Sequence, residues 1–166
     1  QMLTMSQNVK EFENKFSEYC NTKYAIATSS CTSALEISLS SLDLKADDEV
    51  IVPVQTFIAT GSSVLKAGAK IIFCDVDQNF LLDFKCLKNL ITKKTKAVII
   101  VHFAGMISEN IVKIKNFLKK QNISLIEDAA HSHGATFGKL KAGNIGDFGC
   151  FSFYSTKIMT TGEGGM

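Results

Sequence analysis

The chain switches between helical and extended spacing from its first turns to about residue 128. Val9, Phe12, Phe16 and Tyr19 recur at helical intervals. "YAIAT" then reads as a short apolar strand, and "TSALEISLSSL" as a helix that Thr32 or a preceding serine caps. "DDEVIVPV" reads as a strand closed by Pro53, and "TFIATGSSVLKAG" as a helix ended by Gly68. The strand "AKIIFCDV", the helix "LLDFKCLKNLI", the strand "KAVIIV", the amphipathic helix "SENIVKIKNFLKK" and the strand "ISLIED" follow. Most of these strands are unbroken apolar runs, as strands buried on both faces are. The pattern predicts an α/β fold with a mostly parallel sheet flanked by helices. "GNIGDFGCFSFYSTK", rich in glycine and aromatics, predicts one or two closing strands. No repeat, low-complexity tract or linker interrupts the pattern.

Composition narrows the functional classes. The 166 residues, 46% hydrophobic and 20% charged, suffice for one domain with a core. A formal charge of +2, with no like-charge block beyond "KKTK", argues against a nucleic-acid partner. The longest apolar run, "AVIIVHFAGM", falls short of the roughly 20 residues of a membrane span. The opening "QMLTMSQNVKEFENKF" lacks the pattern of a signal peptide. Five cysteines without a CxxC pair predict reduced thiols in a cytoplasmic protein rather than disulfides or a zinc site.

In parallel α/β sheets ligands bind beyond the carboxyl ends of the strands, so the residues there are the candidates. Ser29, Ser30, Cys31 and Thr32 follow "YAIAT" and open a helix, where free N–H groups and the helix dipole suit an anion; serine and threonine are equally ordinary caps there. Gln55, Thr56 and Phe57 follow the second strand, and His102 and Phe103 the fourth. Asp128 ends a buried strand, where a carboxylate needs a cationic or hydrogen-bonding partner or else caps the next turn. His131 and His133, with His102, raise the question of a metal. The segment is not strand-like and lacks further ligands, so no metal is expected. Lys157 follows the last aromatic run. An amine, a carboxylate, an anion cradle and a flat ring on one rim are the set that pyridoxal phosphate requires.

These motifs resemble the DegT/StrS family of sugar aminotransferases, a branch of the fold-type I (aspartate-aminotransferase-like) pyridoxal-phosphate enzymes. The resemblance runs through "FENKFSEYCNTKYAIATSSCTSALEISL", "VIVPVQTFIATGSSVLKAGAKIIFCDVD", "IEDAAHSHGA" and "FSFYSTKIMTTGEGGM", and the last two motifs are the most specific. It implies that Lys157 carries the cofactor and that Asp128 meets its ring nitrogen. It places His131 on the ring hydroxyl, Phe57 on the ring face, and Ser30, Cys31, Thr32 and Ser152 around the phosphate. Cys31 stands where the family usually has Gly or Ala, and "YST" replaces the usual His-Pro-x before the lysine.

The function implied is amino transfer from glutamate to a nucleotide-linked keto-sugar, for surface-glycan, lipopolysaccharide or antibiotic-sugar synthesis, by a cytoplasmic homodimer with active sites at its interface. Residues 1–166 would form part of the large cofactor domain, with the smaller C-terminal domain outside this chain, and the fragment alone is expected to be inactive. Two alternatives stand beside this reading. One is a sugar dehydratase of the same family, in which histidine replaces the lysine, a variant that Lys157 argues against. The other is a truncated, non-catalytic chain.

Overall fold

The unbroken apolar runs become strands, covered on both faces in the middle of the sheet, while the run "KIIFC" lies at its edge with Phe73 exposed. A computed structural model describes residues 6–166; residues 1–5, part of the stretch read above for a leader, lie outside the described residues. Five strands, β1 (Glu49–Pro53), β2 (Lys70–Cys74), β3 (Thr95–Val101), β4 (Ser124–Asp128) and β7 (Phe148–Cys150), form one sheet in the order β2-β1-β3-β4-β7. Every pairing in it is parallel. Helices α1 (Gln7–Cys20), α2 (Cys31–Ser40), α3 (Ile58–Lys66), α4 (Phe84–Leu90) and α5 (Ile111–Lys120) surround it.

Alternation along the strands sorts the core into two layers. Val50, Val52, Ala97, Ile99 and Ile126 pack with Leu35 and Leu39 of α2 and Val64 of α3. Their neighbours Ile51, Val98, Ile100 and Leu125 pack on the other face with Leu87 of α4 and Ile111, Ile114 and Leu118 of α5. Side chains in a strand point alternately to opposite faces, so a strand apolar at every position must be sandwiched. The last turns of α1 close a third cluster, with Phe16 edge-on to Phe151 and Phe153 at 5.0 and 5.3 Å between ring centres. The five cysteines are free thiols.

One local expectation fails, and one element appears unannounced. "YAIAT" forms no strand: Thr28 makes an isolated antiparallel bridge to Gly165, while Tyr24 and Ile26 stand exposed. Its alternation is real, since Ala25 and Ala27 face the aromatic cluster, but no ladder runs beside it. Conversely, a short hairpin of β5 (Thr136–Phe137) and β6 (Leu140–Lys141) occupies a stretch without an apolar run to announce it.

The end of β4 carries two consecutive buried carboxylates. Asp128 points to the α2/α3 face and Glu127 to the other. Glu127 Oε1 accepts the amide N–H groups of Ile145 (2.7 Å) and Gly146 (2.8 Å), and Oε2 accepts that of Gly143 (2.9 Å). His102 Nε2 lies 2.8 Å from Oε2. With amide donors on both oxygens the carboxylate acts as an acceptor throughout, so Nε2 carries the proton it shares with Glu127. One side chain thus ties the end of β3 to the turn that leads into β7. Glu127→Gln presents an NH2 group to these donors and leaves some of them buried and unpaired. Unfolding in urea is expected to show a loss of about 2–4 kcal/mol. An unchanged midpoint would mean that this carboxylate does not hold the turn.

Candidate active site

The chain leaves β1 for β2 on one side and returns to β3 on the other, and the loops beyond these strand ends frame a cavity of about 500 Å³. This is where open α/β sheets bind ligands. Ser30, Cys31, Thr32, Phe57, Asp128, His131, Ser152 and Lys157, the eight residues singled out from the sequence, all line it. His102, Phe103 and Thr56 line it as well. Gln55 and Ser29 do not, and His133 turns away, its ring 5.3 and 5.5 Å from those of Phe151 and Phe153. Among the described residues, no three His, Cys, Asp or Glu side chains are grouped to hold a metal ion.

Asp128 forms the acidic wall of this cavity. Its Oδ2 accepts the Thr60 hydroxyl at 2.8 Å, and Oδ1 accepts the Ala130 N–H at 3.3 Å, with the Cys31 thiol 3.9 Å away. Burial pushes its carboxyl above the ordinary value of 3.8, against the opposing pull of Thr60, Ala130 and the nearby imidazoles. It therefore lacks a cation and fits one supplied by a ligand. Thr60, from the first turn of α3, is the partner that sequence reasoning missed; only the pairing of β1 beside β3 and β4 brings it near residue 128.

The opposite wall is the start of α2. Ser30 caps the helix, its Oγ accepting the Ser33 N–H at 3.1 Å, while the N–H groups of Cys31 and Thr32 have no acceptor among the described residues. Such a terminus favours an anion. Gly165 seats it: residues 164–166 run back between Thr28 and Phe151, and a Cβ on Gly165 would overlap the Ser30 carbonyl and the Cys31 nitrogen. Burial drives the Cys31 thiol well above the ordinary range, which keeps it protonated.

Lys157 enters from a turn fixed by Phe153, whose carbonyl accepts the Thr161 N–H (3.0 Å) and the Thr160 hydroxyl (3.0 Å). Its ammonium contributes to holding the His131 imidazole below 6.5, after burial and against Asp128, so all three groups share one electrostatic neighbourhood. Tyr154, Thr156 and Glu163 also line the cavity, and sequence reasoning assigned none of them a role. Another cavity of about 540 Å³ lies between residues 20–28 and β7. Its charged lining residues are Lys23 and Asp147, and the latter already accepts the Leu125 N–H, so it gathers no comparable chemistry.

Comparison with known proteins follows this geometry. The model of the DegT/DnrJ/EryC1/StrS aminotransferase family matches residues 1–166. GDP-perosamine synthase of Caulobacter vibrioides is 43% identical over 159 residues, which are 95% of this chain and 43% of that protein. The structure of an aminotransferase from Psychrobacter cryohalolentis superimposes with a TM-score of 0.94 at 42% identity, covering 98% of this chain and 42% of that one. GDP-4-keto-6-deoxy-D-mannose-3-dehydratase of Escherichia coli, with bound hydrated PLP, has a TM-score of 0.91 at 32% identity, covering 98% of this chain and 43% of that one. The chain thus spans less than half the length of the relatives it matches.

Two outcomes follow from the charges. A carboxyl whose native pKa is raised binds its proton more tightly when folded, so the ionised Asp128 weakens the fold at neutral pH. Asp128→Asn, with the Thr60 hydroxyl reversed to accept from the new amide, is expected to melt higher than the parent at pH 7. A lower melting temperature would mean that the ionised carboxylate is itself stabilising. His131 and His133 have the opposite effect at acid pH. Burial holds both imidazoles below 6.5, opposed at His133 by the backbone of Ser152 and at His131 by Asp128. The unfolded chain takes up these protons first, so stability should decline as pH falls through 6.5, and His133→Phe should flatten that decline. An identical profile in the variant would remove His133 from the account.

Proposed function

The chain belongs to the DegT/DnrJ/EryC1/StrS aminotransferase family, and on that footing we propose that it is part of a pyridoxal-phosphate-dependent aminotransferase acting on a nucleotide-linked keto-sugar, with glutamate as the amino donor. The observation that carries this reading is that Lys157, Asp128 and the start of α2 share one cavity at the carboxyl edge of the sheet.

The residues fit the cofactor. The cation-lacking Asp128 suits a protonated ring nitrogen, and the N–H groups of Cys31 and Thr32, with the hydroxyls of Ser30, Thr32 and Ser152, suit a phosphate. His131 stands beside Asp128 for the ring hydroxyl, and Phe57, on the cavity rim, offers an aromatic face. Pyridoxal phosphate, when bound, supplies an electron sink for the carbon that exchanges its amino group. Lys157 anchors it through Nζ and, once released, takes and returns the proton at that carbon, as general base and then acid. Asp128 keeps the ring nitrogen protonated. His102, held by Glu127, closes the cavity beside Asp128.

The likeness to the dehydratase keeps the alternative in view, and Lys157 favours amino transfer over it. Residues 1–166 are read as part of the large cofactor domain. Among the described residues, no helix is long and apolar enough to cross a membrane. The same reading places the protein in the cytoplasm, as a homodimer. Phe57 and Ile58, 75% and 77% exposed at the cavity mouth, support a partner on that side.

Lys157→Ala is the direct test. Because the lysine both anchors and moves the proton, amino transfer by the enzyme is expected to fall by about a thousandfold or more, with circular dichroism unchanged. Turnover close to that of the parent would sink the assignment.

A further inference from the structure

Buried hydroxyls on helices ordinarily return to the carbonyl one turn back, and Ser38 and Ser63 do so here, donating to Ala34 and Ala59 at 2.8 and 2.7 Å. Thr60 does not. It stands on α3 one turn before Ser63 and is as completely buried. Its hydroxyl instead donates to Asp128 Oδ2 at 2.8 Å, and the Thr56 hydroxyl lies 2.6 Å from the same Thr60 oxygen. A hydroxyl has one hydrogen to give. With that of Thr60 committed to the ionised carboxylate, the hydrogen between the two threonines comes from Thr56. The pair is therefore directed, from Thr56 to Thr60 to Asp128, and its outer member lines the cavity. The remaining donors to Asp128 are more distant, the Ala130 N–H at 3.3 Å and the Cys31 thiol at 3.9 Å. Valine would fill the position of Thr60 with the same shape and no polar group to satisfy, so what the hydroxyl adds is its bond to Asp128.

We propose that Thr56 and Thr60 form a donor relay that fixes the Asp128 carboxylate in place and holds it in its ionised form. Thr60 is then a positioning residue for the group that meets the ring nitrogen. The inference deepens the amino-transfer reading and rests on it for the identity of the cation. Burial favours the neutral carboxyl, and Thr60 is the foremost of the groups that oppose it. A donor stabilises the charged acceptor, and the second bond, from Thr56, strengthens that donor. A neutral Asp128 would have no charge to offer a protonated ring. The other titratable groups around Asp128 are Cys31, His102, His131, Cys150 and Lys157, and all of them are kept in the variants that test the relay.

NMR of cofactor-free protein carrying carbon-13 in its aspartate carboxyls gives the titration midpoint of Asp128, whose resonance is identified by its loss in Asp128→Asn. Thr60→Val, which keeps the shape and removes the hydroxyl, is expected to raise that midpoint by about one to two pH units. Thr56→Val should raise it by less, and Thr60→Ser, which restores a hydroxyl, should return it toward the parent's value. Should Thr60→Val fail to fold, Thr56→Val carries the same test with the smaller shift. A second measurement compares affinity for pyridoxal phosphate, across pH, with that for its deaza analogue, which has C–H in place of the ring nitrogen. Phosphate and aldehyde are common to both, so the ratio reports the ring nitrogen alone. The parent's preference for pyridoxal phosphate is expected to begin to fade as pH falls through the Asp128 midpoint, and to begin higher in Thr60→Val by the same shift. No preference in the parent at any pH counts against the function proposed above, and the titration still decides the relay. A midpoint unmoved by either valine variant, or moved as far by Thr60→Ser as by Thr60→Val, overturns the proposal.

Discussion

Two neighbouring carboxylates at the end of β4, one satisfied by the protein and one left open, set the terms for the rest of the molecule. Burying an ionised carboxylate costs several kcal/mol unless donors meet it. Glu127 meets three amides and an imidazole, and in doing so fixes the turn before β7 and the residue after β3. Asp128, one residue later and therefore on the opposite face, receives one hydroxyl and one longer amide bond. The strand's alternation separates the two: the anion that is paired internally builds the scaffold, and the anion that is not waits for a cation. The same two-residue period that sorts the apolar core sorts structure from chemistry.

The sheet is readable in the sequence because burial on both faces leaves a mark that needs no knowledge of neighbours. "EVIVP" and "KAVIIV" are apolar at nearly every position, and each becomes a parallel strand. "YAIAT" carries a similar mark yet forms only a bridge, because a strand also requires an edge to pair with, and pairing is decided far away in the chain. The β5–β6 hairpin has the opposite character, since two residues per strand are too few to show a period. Phe57, His102 and Asp128 are readable because they stand at visible strand ends; Ser30, Cys31, Thr32 and Lys157 follow "YAIAT" and "FSFY", which form no strand, and Ser152 is read from the resemblance alone. What escapes is contact between loops. Thr60 sits 68 residues from Asp128, and nothing local to "FIAT" indicates that its hydroxyl will meet that carboxylate.

Tight backbone approach is the other half of the construction, and it explains the glycines of the terminal motif. Gly165 lets residues 164–166 pass directly beneath the first turn of α2, so the segment bearing Glu163 and the helix start bearing Cys31 and Thr32 are held against each other. Lys157 lies on the turn that precedes this segment, between Phe153 and Thr161. The amine and the free N–H groups thus hang from one continuous arrangement of backbone rather than from independent loops. A change that shifted Gly165 would move the start of α2 relative to the amine.

The exposed apolar side chains around this arrangement bear on how it works. Phe57, Ile58 and Ile158 are each at least 75% exposed, and all three lie in the segments that carry the cavity residues. Single exposed apolar residues need no explanation, but these three belong to the two segments that frame the cavity. Electrostatic discrimination by Asp128 weakens as the dielectric around it rises, since the same pair of charges interacts several-fold more strongly at an effective dielectric of about 20 than in water at about 80. A cover over Phe57, Ile58 and Ile158 would therefore do more than hide apolar surface: by excluding water it would sharpen the cavity's preference for a cation beside Asp128. The homodimer proposed above would provide such a cover, linking assembly to specificity through the same three side chains.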